Sequence, residues 1–240
     1  MHPIFVYTLC FLLMGAVGMV LANRKVDAHT ARRRWLKFVT YIGIVGSAIA
    51  AILLNYFYLL AILITTIGLW EILRNVVSCS NPVIQNSTLG GYLFTTVGFL
   101  IFSTTFNPLF LLFIYFQVFI FDGFSQVSGQ LFGKHQLLPR ISPGKTLEGL
   151  IGGTLFCVVA AEIARSWVSL SPTEALFIGL GTAALSFTGD ILASAVKRLV
   201  QVKDYSNLLP GHGGILDRFD SLIIVGTGYA VLSNLRLLIG

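Results

Sequence analysis

Long apolar segments decide what this chain can become. Eight of them run roughly over 4–22, 36–54, 56–73, 88–105, 107–121, 149–168, 174–196 and 219–239. A helical bilayer crossing takes about 20 apolar residues. Lipid-exposed backbone must satisfy its own N–H and C=O groups, which favours helices. The pattern predicts an all-α integral membrane protein, a polytopic bundle of about eight transmembrane helices. The fifth segment is short, and fits a tilted helix or one ending at a polar wall inside the protein. Only 11% of the 240 residues are charged, against about 25% in soluble domains. That density excludes a cytosolic enzyme, and the high apolar content excludes disorder. Little chain is left for a soluble domain, so residues 1–240 read as one membrane domain.

The basic residues give the orientation. Fourteen of the sixteen Lys and Arg fall in the loops after segments 1, 3, 5 and 7, and only Arg165 and Arg236 lie on the other side. The positive-inside rule makes the first side cytoplasmic, with both termini on the non-cytoplasmic side. No basic residues precede the first apolar stretch, which reads as a retained span rather than a cleaved signal peptide. The basic run from Arg24 to Lys37 reads as a topology anchor against anionic headgroups. Cys10, Cys79 and Cys157 match no metal or disulfide framework and read as small buried residues.

The acids stand where a bilayer protein should avoid them. Asp190 lies inside segment 7, seven residues before Lys197, or about 10 Å along a helix. Asp190, Ser194 and Lys197 share one helix face. An ionisable residue at that depth is costly and marks function. Asp217 and Asp220 open segment 8 at i, i+3 spacing. Asp122 closes segment 5, and Glu148 opens segment 6. Acids from four segments thus converge on the cytoplasmic interface, an oxygen-rich set suited to Mg²⁺ completed by substrate phosphates.

Bases and glycines are interleaved with these acids. Residues 194–220 read SAVKRLVQVKDYSNLLPGHGGILDRFD. Lys197, Arg198, Lys203, His212 and Arg218 supply positive charge for phosphates, and Gly213 and Gly214 permit close backbone approach. A second loop, GKHQLLPRISPGKTLEG, carries Ser142, Lys145 and Thr146 before Glu148. Its GKT lacks the upstream glycine of a P-loop, which argues against a P-loop ATPase. The combination points to a polyanion with a divalent metal at a membrane face, either nucleotide or phospholipid headgroup. Nucleic acid is not expected, because the bases are not interleaved with exposed aromatics.

Residues 194–220 resemble the signature of the phosphatidate cytidylyltransferases, or CDP-diacylglycerol synthases. The match comprises Ser194, Lys197, Arg198, Lys203, Asp204, Ser206, Pro210, His212, Gly213, Gly214, Asp217, Arg218 and Asp220. A second family block, Ser-Pro-x-Lys-Thr-x-Glu-Gly, stands at Ser142, Pro143, Lys145, Thr146, Glu148 and Gly149. Asp122 and the run from Gly129 to Lys134 resemble the family's upstream acid and Gly-rich stretch. There the chain departs: the family's Thr-Gly-Ala-Tyr-like segment is replaced by Gly123, Phe124, Ser125 and Gln126. The resemblance covers about 122–228.

The resemblance implies transfer of the cytidylyl group of CTP to phosphatidate, giving CDP-diacylglycerol and pyrophosphate for phospholipid biosynthesis. It implies Mg²⁺ on Asp190 and Asp217, and it associates the family with a second cation, K⁺. Asp220 and Asp122 would support the metal. Lys197, Arg198, Lys203 and Arg218 would hold phosphates, and Lys145 and His212 would meet the triphosphate or leaving group. Ser142, Thr146, Glu148, Ser194, Asp204, Gly213 and Gly214 complete the expected substrate-binding set. On this reading 107–240 holds the catalytic helices and loops. The helices of 1–105 serve packing or a homodimer. Short loops and small size suggest a bacterial inner membrane. The alternatives are a CTP-dependent kinase or a cytidylyltransferase for another lipid phosphate or alcohol. A transporter would need inverted repeats, which the sequence lacks, and the intact signature argues against an inactive regulator.

Overall fold

The computed structural model describes residues 27–209 and 213–239, with the isolated positions 6, 10, 13, 16 and 20. The expected first crossing otherwise lies outside the described residues. Seven helices follow: α1 (Ala28–Leu53), α2 (Phe57–Val76), α3 (Pro82–Thr105), α4 (Pro108–Phe132), α5 (Leu147–Ala164), α6 (Pro172–Leu199) and α7 (Leu216–Ile239). Among the described residues, α2, α3, α4, α5 with its extension to Trp167, and α6 are long and apolar enough to cross a membrane. The chain is an integral membrane protein.

Helix starts are written locally. Asn81 and Asn107 each precede a proline, and their side chains accept from Val83 N and Phe110 N at 2.9 Å. Ser171 and Glu174 form a capping box in front of Pro172. Each arrangement satisfies amides that a helix start leaves free, with proline where its missing N–H does no harm. Asp27 caps α1 through Thr30 N.

Helix α4 is the centre of the bundle. Its residues Leu111 to Val118 are buried on every side, as an all-round apolar helix should be. It packs most extensively on α5, which continues onto α6; α3 and α6 in turn flank α7. The α4–α5 contact is close because small residues meet there. A Cβ on Gly153 would stand 2.8 Å from the Ser125 Cβ, and one on Gly149 2.7 Å from the Ser125 carbonyl. Small-residue seams of this kind let membrane helices approach. Large apolar side chains such as Phe94, Val97, Leu155 and Val159 point outward, as they would toward lipid.

Two expectations need correction, and one small element joins the helices. Asp122 does not close a short fifth helix: α4 runs on to Phe132, because one face of its second half, at Ser125, Ser128 and Gly129, packs on the glycines of α5. The bundle is helical as expected, with one addition. Between α4 and α5, β1 (Gln136–Leu138) and β2 (Ser142–Thr146) form an antiparallel hairpin, pairing Gln136 with Thr146 and Leu138 with Ser142. Of the cysteines, only Cys157 is buried; Cys10 is exposed and Cys79 half-buried.

Candidate active site

The loops after α2, α4 and α6 meet at one end of the bundle. Asn75 Nδ2 donates to the Tyr205 carbonyl at 2.8 Å, joining α2 to the loop after α6. Arg198 Nε donates to the Ile141 carbonyl at 3.2 Å, joining α6 to the hairpin. These loops and the helices that flank them carry the expected residues.

The first centre forms where α4, α6 and α7 bring Asp122, Asp190 and Asp220 within electrostatic reach of one another. Ser221 Oγ sits 3.2 Å from Asp190 Oδ1 and 3.5 Å from Asp122 Oδ1. Lys145 reaches in from β2 and forms an ion pair with Asp190. Burial alone would push the Lys145 ammonium down, but the Asp190 carboxylate outweighs it and holds the group above its ordinary value. The three acids come from segments far apart in sequence, and one lysine does not neutralise them.

The second centre is Asp217, in the first turn of α7. Its Oδ1 accepts from Lys197 Nζ at 2.7 Å. Its Oδ2 accepts from Tyr205 N at 2.9 Å and Gly214 N at 2.8 Å. Lys197 also lies over the Tyr205 ring, 5.4 Å from its centroid. Asp190 and Asp217 are thus alike in one respect: each holds a lysine ammonium. They differ in another, since Asp217 also holds two amides. A carboxylate offers about four acceptor positions, so Asp217 keeps one beyond its three partners.

The remaining expected residues divide by role. Thr146 Oγ1 caps α5, accepting from Gly149 N at 3.1 Å. Glu148 accepts from Lys134 N at 3.0 Å and His135 Nδ1 at 2.7 Å, tying the hairpin to α5 away from the acids. Ser142 and Ser194 are half-buried, while Arg198, Lys203, Asp204 and Arg218 are exposed. Exposed cations beside the lysine–aspartate pairs offer positive charge to a ligand. His212 lies outside the described residues. Gly213 has φ +84°, a conformation glycine adopts without cost. A Cβ there would stand 2.8 Å from Asp217 Oδ2, and one on Gly214 would stand 2.8 Å from the Glu71 carboxyl carbon. In this structure the two glycines admit carboxylates.

Glu71, on α2, is the residue that sequence reasoning missed. It is fully buried. Its Oε1 accepts from Ser206 Oγ at 2.5 Å and Ile215 N at 2.9 Å, and its Oε2 from Leu216 N at 2.8 Å. The available signal was an acid inside the third apolar segment, which the cost of intramembrane charge marks for attention.

Among the described residues, no three His, Cys, Asp or Glu side chains are grouped to hold a metal by themselves. Mg²⁺ commonly takes one or two carboxylates and completes its shell with water and substrate phosphates. The hard oxygens of Asp122, Asp190, Asp220, Ser221 and Asp217 suit that mode.

Fold and centre together define a helical membrane protein whose acids and lysines gather at one end of the bundle. Residues 6–235 match the model of the cytidylyltransferase family, and the chain belongs to that family. It is 41% identical over 118 residues to a phosphatidate cytidylyltransferase of Haemophilus influenzae, covering 47% of this chain and 41% of that protein. It is 40% identical over 134 residues to one of Staphylococcus epidermidis, covering 54% and 51%. It is 47% identical over 96 residues to the uncharacterized protein YnbB of Escherichia coli, covering 40% and 32%. The aligned regions span about a third to a half of these curated relatives.

Proposed function

We propose that this protein transfers the cytidylyl group of CTP to phosphatidate, releasing pyrophosphate. The observation that carries the reading is the pair of lysine-held carboxylates, Lys145–Asp190 and Lys197–Asp217, at the loop-bearing end of a membrane bundle. Carboxylates suit a divalent cation, and lysines suit phosphate. Family membership adds the chemical class.

The phosphatidate monoester is the nucleophile. With a second pKa of about 6 it is largely ionised near neutrality, so no strong base is required. Its oxygen bonds to the α-phosphorus of CTP as the bond from that phosphorus to the bridging oxygen breaks, and pyrophosphate leaves with the electron pair. The barrier lies in joining two anions, and fixed charge lowers it by positioning and neutralisation. Lys145 and Lys197 exchange a carboxylate oxygen for a phosphate oxygen when the triphosphate arrives. Arg218, Lys203 and Arg198, already exposed, hold the outer phosphates, and His212 would meet the triphosphate or leaving group. Asp190 and Asp217 would hold Mg²⁺, with Asp122 and Asp220 adding negative charge around them; K⁺ is the second cation of this reading. When bound, Mg²⁺ would withdraw charge from the reacting phosphates.

In the same reading the bundle has eight spans, the hairpin end faces the cytoplasm, and both termini face away from it. The membrane is a bacterial inner membrane. The gathering of Lys134, Arg140, Lys145, Lys197, Arg198, Lys203 and Arg218 in the loops and helix ends at that end supports this orientation. Residues 107–240 supply the reacting groups.

The test is pyrophosphate release by purified, detergent-solubilised protein given CTP, phosphatidate and Mg²⁺. Release should need all three and vanish in Asp190→Asn while insertion and folding persist. CDP in place of pyrophosphate would instead identify a kinase. Neither product, with several lipid phosphates tried, would refute the reading.

A further inference from the structure

We infer that Glu71, from the N-terminal helices, is a positioning residue for the loop that carries Lys203 to Arg218; this rests on the cytidylyltransferase reading. Among its described residues before α7, the loop has one regular pairing, Leu209 with Gly213. Its shape is set by two carboxylates that divide its amides between them. Asp217 takes the N–H groups of Tyr205 and Gly214, and Glu71 takes those of Ile215 and Leu216 together with the Ser206 hydroxyl. The Glu71 donors are neutral, and all lie at the start of α7 or in the loop before it. A helix start leaves amides unpaired and carries partial positive charge, so a carboxylate suits it. Asn75, one turn further along α2, binds the Tyr205 carbonyl. Helix α2 thus grips the loop at residues 205, 206, 215 and 216, on both sides of Gly213 and Gly214. Moving Ile215 and Leu216 would move Asp217, and with it the acceptor of Lys197.

Glutamine cannot replace this carboxylate. It offers one acceptor oxygen in place of two, and its NH₂ group would face a backbone N–H or the serine hydroxyl. Glu71→Gln should lower kcat/KM for CTP at least tenfold and leave KM for phosphatidate within twofold. Amide exchange in detergent should quicken at least tenfold in a peptide covering 203–218. A peptide covering 108–132 should not change. Ser206→Ala removes one of three donors, and should shift both readouts the same way by about threefold. Unchanged exchange over 203–218, or equal loosening of 108–132, would overturn the inference. So would a kcat/KM for CTP within twofold of the parent. If Glu71→Gln does not fold, Ser206→Ala decides, and no change there overturns it. If the parent protein releases no pyrophosphate, exchange still reads the grip of Glu71, and only the cytidylyltransferase reading fails.

Discussion

Two kinds of carboxylate stand within one end of this bundle. Glu71 is held by a hydroxyl and two backbone amides, all neutral and all fixed by the fold. Asp190 and Asp217 are each held by the end of a flexible lysine. The side chains of Lys145 and Asp190 remain 26% and 19% exposed. A carboxylate satisfied by backbone cannot let go without unfolding a loop. One satisfied by an ammonium can trade it for another cation while the lysine turns to a phosphate. The first kind builds the site, and the second is available to work in it. Asp217 belongs partly to each, because two amides pin one oxygen and a lysine holds the other.

The largest effect should come from the exchangeable acids. Asp190→Asn should lower pyrophosphate release by about 10²–10³-fold, the usual loss when a transition-state electrostatic contact is removed, with the melting temperature little changed. Asp217→Ala should reduce turnover as severely and also destabilise by about 3–5 kcal/mol, because it strands a buried lysine. A denaturation series that ranks Asp190→Asn below Asp217→Ala in stability would break the comparison.

Smaller changes sharpen it. Lys145→Met should lower kcat by about 10- to 100-fold, since a charged phosphate contact contributes about 1.5–3 kcal/mol. The same variant should need less Mg²⁺ for half-maximal rate, because no ammonium competes for Asp190. A Mg²⁺ titration reads both numbers, and a raised Mg²⁺ requirement would count against exchange. Asn75→Ala should have the least effect, about 1–2 kcal/mol for the hydrogen bonds to the Glu71 and Tyr205 carbonyls and less than threefold in rate.

Much of this was legible in the sequence for physical reasons. Apolar runs mark crossings, and Asn-Pro and Ser-Pro pairs mark where α3, α4 and α6 begin. The i, i+4, i+7 spacing from Asp190 to Lys197 and the early position of Asp217 in its helix were readable from period alone. Other features were not. Helix α4 continues past Asp122 because Ser125, Ser128 and Gly129 are covered by the glycines of α5, and hydropathy does not see a partner helix. The hairpin pairs Gln136 with Thr146 through backbone bonds that leave no apolar alternation. Glu71 meets residues 144 and 145 positions away, a contact no local spacing encodes. The two lysine pairs likewise join separate elements, so both members were expected at the site without their pairing being visible.

The division between exchangeable and fixed carboxylates is tested most directly by counting bound Mn²⁺, a paramagnetic stand-in for Mg²⁺. Electron paramagnetic resonance would follow binding to the purified protein in the presence of CTP. The parent should bind the ion stoichiometrically, Asp190→Asn should lose it, and Glu71→Gln should retain it with weaker affinity. Binding by Asp190→Asn equal to that of the parent, or its complete loss in a folded Glu71→Gln, would contradict the division.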